Sequence, residues 1–155
     1  MDRDLIRERL EGAVLTAMDA ACSREMAWGH DDCALWCADA IAPVVGYDAA
    51  AQWRTGYKDR AGAHAALGNL GLGYALKRTA SKHSWERIAP KDAQPGDVGL
   101  AMMLYQGKPS AVTVMCRARG WFVGRNEMGF TALQAAQVRV CWSVLGAPES
   151  MAAAA

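Results

Sequence analysis

The sequence predicts an α+β domain, with helices in its first half and a small antiparallel sheet in its second. Three observations lead there. Apolar residues recur at spacings of three and four through residues 3–22. Beyond Pro95-Gly96-Asp97 they fall instead into short β-type runs separated by turn residues. The 155-residue length suits one domain, taken here as residues 1–145, with 146–155 as a loose tail.

The elements follow in order. Residues 1–22 carry an amphipathic helix: Ile6, Leu10, Ala13, Ala17 and Ala21 form its apolar stripe, and Arg3, Arg7, Glu8 and Glu11 lie elsewhere on the wheel. Trp28-Gly29-His30 is a loop, and Asp31 or Asp32 caps a helix from about Cys33 to Val45, closed by Gly46. A short helix near residues 49–53 and a loop at 54–57 precede a helix over 60–70 that Gly71 closes. Residues 72–84 read as a short helix leading to a strand near 85–88. Pro95-Gly96-Asp97 turns the chain into a strand over 98–105, apolar on both sides as a central strand is. A hairpin turn at 106–109, strands over 110–117 and 121–124, and a last strand over 138–144 complete the sheet.

Composition excludes several classes of function. The formal net charge of +1 gives no electrostatic argument for nucleic acid or an anionic membrane. No apolar run approaches the roughly 18 residues of a membrane span. The opening MDRDLIRERLEG mixes both charge signs, unlike a signal peptide, so synthesis and folding in a cytosol are expected. Five cysteines at irregular spacings make no disulfide framework. Cys33 and Cys37, even with His30, make no convincing zinc half-site, so neither a metal nor another cofactor is expected.

The chemistry concentrates at Trp28-Gly29-His30-Asp31-Asp32-Cys33-Ala34-Leu35-Trp36. A cysteine in the first turn of a helix meets free amides and the positive end of the helix dipole, which favour a thiolate. Asp31 and Asp32 act the other way. Trp28, Asp32 and Trp36 are expected to line a cleft around the sulfur. Among the histidines, His30 precedes Cys33 by three residues and His83 sits before the sheet; both are weak candidates for a base. His64 falls within a helix.

A helix-starting Asp32-Cys33, further helices, then Pro95-Gly96-Asp97 opening an antiparallel sheet resembles the NlpC-type papain-like cysteine peptidases and amidases. The resemblance implies Cys33 as nucleophile, a base at about Ser110 or Ala111 on the second strand, and a polar orienting residue near 121–124. No histidine stands at the base position. Trp28-Gly29, Asp32-Cys33-Ala34-Leu35, Gly46, Arg54 to Tyr57, Pro-Gly-Asp and Trp142 together are similar to an uncharacterised family encoded in tail gene clusters of tailed phages, a divergent branch of that fold whose second strand usually lacks the histidine. This likeness implies a degenerate peptidase fold acting as a structural or assembly protein of a tail tip or baseplate. It further implies a place in the virion after synthesis in the bacterial host cytoplasm, with partners among hub, distal tail or baseplate proteins. The alternative it leaves open is an active enzyme cleaving cell-wall peptides, with Cys33 attacking the amide carbonyl. A third option is an assembly factor that leaves the particle.

Overall fold

A computed structural model describes residues 2–54, 56–68, 70–127 and 129–146. The tail expected at 146–155 therefore lies, beyond Gly146, outside the described residues. The architecture is α+β. Helices α1 (Arg3–Ala21), α2 (Cys33–Val45), α3 (Arg60–Leu67) and α4 (Gly71–Lys82) precede an antiparallel sheet. Its strands are β1 (Glu86–Ile88), β2 (Val98–Tyr105), β3 (Lys108–Ala118), β4 (Trp121–Asn126), β5 (Gly129–Gln134) and β6 (Val138–Ser143), ordered β1-β6-β2-β3-β4-β5.

Several helix boundaries have a local cause. Asp2, Asp32 and Asp59 cap α1, α2 and α3 with their carboxylates. Gly46 ends α2 in the left-handed region, at φ 83°. The helix expected over 60–70 stops three residues early, at Gly68, and Gly71 opens α4 instead of closing α3. The short helix expected within 72–84 is this longer one, because Leu72, Ala75, Leu76, Thr79 and Ala80 turn one face to the core. Gln106 and Gly107 both take positive φ, 51° and 79°, giving the primed type of turn that joins twisted strands tightly. The strand β5 was not expected, and β4 runs two residues beyond its expected end.

The helices cover one face of the sheet. Leu10 and Val14 of α1, Leu35, Trp36 and Ile41 of α2, and Leu76 of α4 pack with Val98, Met115, Val123 and Trp142. A smaller apolar layer on the opposite face holds Ala101, Val114, Cys116, Phe122, Leu133 and Cys141. Cys116 and Cys141 thus act as small buried hydrophobes.

One ion pair ties α1 to the sheet. Arg7 Nη1 donates to Asp97 Oδ1 at 2.7 Å and Arg7 Nη2 to Ser143 Oγ at 2.9 Å. Asp97 also accepts from the amides of Gln94 and Val144. Burial holds its carboxyl above the ordinary range, with Arg7 and the Gln94 amide opposing that rise. Arg7→Leu strands this carboxylate. Loss of a buried partner costs about 3–5 kcal/mol, and urea unfolding at neutral pH should show it. Because the folded-state pKa lies above 3.8, the deficit should shrink as pH falls and Asp97 protonates.

Candidate functional site

The site is assembled around the N-terminus of α2. Asp32, 2% exposed, caps the helix by accepting from the Leu35 amide at 3.0 Å. Its second oxygen accepts from the Gly29 amide at 3.1 Å and from the Tyr57 hydroxyl. Gly29 is required there: at φ 84°, a Cβ would lie 2.0 Å from the carbonyl oxygen of Tyr57. Cys33, the first residue of α2, is half-buried between two cavities of about 390 and 470 Å³. Both cavities share Trp28, Cys33, Tyr105 and Val112. Trp28 and Tyr105 meet edge to face, with centroids 6.0 Å apart.

Strand β3 faces the sulfur. Met115 points into the helix-side core, so alternation places Thr113 and Ala111 on the same face. The Thr113 hydroxyl is buried and makes no hydrogen bond of ordinary geometry; the Cys33 sulfur is the group it addresses. Burial pushes the Cys33 thiol up to about 11, and the Asp32 carboxylate adds to the rise. Donors from Thr113 and the Ala34 amide oppose it only in part. Burial also raises the Cys37 thiol, one turn further along the helix.

The residues singled out from sequence separate here. Cys33, Asp32 and Trp28 come together. Trp36 does not line the cleft: it is 3% exposed in the core, its indole donating to Ala17 O and meeting Phe130 edge to face. His30 is exposed in the turn closed by the Ala27–Asp31 bridge. His83 stacks on Tyr47 with centroids 4.0 Å apart. Tyr47 follows the C-terminal cap of α2, which puts His83 about 18 Å along the helix from Cys33. Of the three histidines only His64, on α3, borders the Cys33 cleft. Ser110, at the expected base position, accepts a hydrogen bond from Arg60. Among the described residues no three of His, Cys, Asp and Glu converge as a metal would require.

Sequence reasoning missed Thr113, Arg60 and Arg125, and placed Tyr57 only within a loop. Arg125 stands one position past the interval searched for a polar residue, on the part of β4 not foreseen. It is fully buried and donates to Asp31 at 2.8 Å, to Arg24 O at 2.7 Å and to Gly129 O at 2.9 Å. Burial alone would raise the Asp31 carboxyl; hydrogen bonds from Arg125 and Arg24 outweigh it and hold the group below the usual range. Arg54 pairs with Asp48 and Asp39 and fixes the loop before the cleft.

Two outcomes follow from this arrangement. Tyr57→Phe removes a hydrogen bond to a buried carboxylate and should lower stability by about 1.5–3 kcal/mol in urea titrations. The contribution of Asp31 is present above its ordinary pKa of 3.8 and is lost as pH falls through its lower folded value. Arg125→Met should accordingly flatten the acid limb of a stability-against-pH curve.

No curated protein and no solved structure matches the chain. One family does, over residues 7–144, from α1 to the residue after β6. The chain belongs to that family, described as a domain of unknown function (DUF6950).

Proposed function

We propose that this chain is a structural or assembly component of a phage tail tip or baseplate, built on an NlpC-type papain-like fold that has lost its hydrolytic base. One observation carries the loss: the strand facing Cys33 presents Thr113 and Ala111, and neither can take a thiol proton at neutral pH. The neighbouring Ser110 is engaged by Arg60. The thiol itself, raised to about 11, is the reverse of the depressed pKa that a nucleophilic cysteine needs. The tail assignment rests on the resemblance carried by Trp28-Gly29, Asp32-Cys33-Ala34-Leu35 and Pro95-Gly96-Asp97. Its partners are then hub, distal tail or baseplate proteins, and its place is the virion.

A second reading has one observation in its favour. His64 shares the cleft with Cys33, so an active peptidase or amidase would draw its base from α3 and not from the sheet. Helix-terminal amides would then hold the oxyanion.

Alkylation and phage genetics separate the two. The raised pKa cuts the thiolate fraction about 100-fold against a thiol at 9.0. The greater nucleophilicity of a more basic thiolate recovers about tenfold of this. Cys33 should therefore react with iodoacetamide about tenfold more slowly than a free thiol of pKa 9.0 at pH 7.5, while exposed Cys22 is labelled first. Phage carrying Cys33→Ser or His64→Ala should keep full infectivity, and the chain should be found by mass spectrometry in purified particles. A fall in infectivity with intact particles in both variants would establish the enzyme. Absence from particles would make the chain an assembly factor that departs.

A further inference from the structure

Arg60 differs from the arginines that the fold pairs with aspartates. Arg7, Arg24, Arg54 and Arg125 each meet an aspartate. Arg60, half-buried at the start of α3, meets none among the described residues. Its Nη2 donates to Ser110 Oγ, and its guanidinium lies over the Tyr105 ring, 4.8 Å from the centroid. A hydroxyl and a ring face orient the fork without neutralising it. Two carboxylates close to it, the adjacent Asp59 and the cleft-lining Asp32, are committed elsewhere. Asp59 caps α3 through the Gly62 amide at 2.7 Å, and Asp32 already accepts from Gly29, Leu35 and Tyr57.

The space beside this cation is largely apolar. Trp28, Trp53, Leu67 and Leu72 line it, and its volume of about 390 Å³ falls in the range of small-molecule sites, roughly 300–1,000 Å³. A fixed cation at the rim of an aromatic and aliphatic cavity is complementary to a ligand with one anionic end. The planar fork matches a carboxylate through two parallel hydrogen bonds. A phosphate dianion would need a second fixed cation, and the other basic side chain of the lining, His64, is exposed.

We propose that this cleft binds a monocarboxylate with an apolar body, the carboxylate on Arg60 and the body against Trp28 and Leu72. The assignment needs neither chemistry at Cys33 nor any tail partner, so it stands or falls apart from the reading above.

Calorimetric titration of the full chain with 3-phenylpropanoate and hexanoate, and with the corresponding primary amides, tests it. Both carboxylates should bind, with the amides at least tenfold weaker. Arg60→Gln should lose at least tenfold in carboxylate affinity, and Arg60→Lys, which keeps the charge without the fork, should also weaken it. A readout on the unaltered chain guards against misfolded variants: bound carboxylate should slow alkylation of Cys33, which borders the same space, and the amide should not. The proposal is overturned by absence of both heat and protection at millimolar carboxylate, by equal binding of the amides, by inorganic phosphate binding as tightly, or by unchanged affinity in a folded Arg60→Gln chain.

Discussion

A single buried carboxylate organises the half of the molecule that matters for function. Asp32 accepts from three donors that lie in three different segments: the Gly29 turn, the first turn of α2, and Tyr57 in the loop before α3. An isolated carboxylate in such a place would be too costly to keep ionised. Here three donors and the positive end of a helix stand beside it. The position of Cys33, the course of the Trp28 loop and the near wall of the cleft all follow from where those donors must stand.

That same arrangement decides the character of the thiol. A helix N-terminus can stabilise one anion well, and here the anion is the Asp32 carboxylate, one residue before the sulfur. The Leu35 amide and the helix dipole, which would favour a thiolate, already answer that charge. At Cys33 burial and repulsion favour the neutral thiol, and the donors from Thr113 and the Ala34 amide offset them only in part. A sheet residue able to accept a proton could reverse this balance, and β3 supplies a hydroxyl.

Much of this was legible in the sequence where the cause is local. The aspartate cap, the terminating Gly46 and the Pro95-Gly96-Asp97 turn act within a few residues of themselves, and they mark α2 and β2 closely. The Gly68 stop, by contrast, competes with an unbroken helical pattern from Arg60 to Leu70, and the sequence does not say which glycine prevails. The strand β5 escaped notice because Thr131 and Gln134 interrupt its apolar residues; pairing with β4 creates it. The partners of the site were the least visible. Tyr57 reaches Asp32 across 25 positions, Arg60 reaches Ser110 across 50 and Arg125 reaches Asp31 across 94. Contacts of that range depend on the finished fold and leave no spacing to read.

The closeness of Gly29 to the Tyr57 carbonyl has a mechanical consequence. Two strands of backbone in van der Waals contact, cross-braced by the same carboxylate, behave as one stiff bracket. On the opposite bank the short helix α3 leans on the sheet through a neutral hydroxyl and the face of a tyrosine. The two banks of the groove are thus joined by unlike means, one through a buried carboxylate and the other through a cation seated on a hydroxyl and an aromatic face.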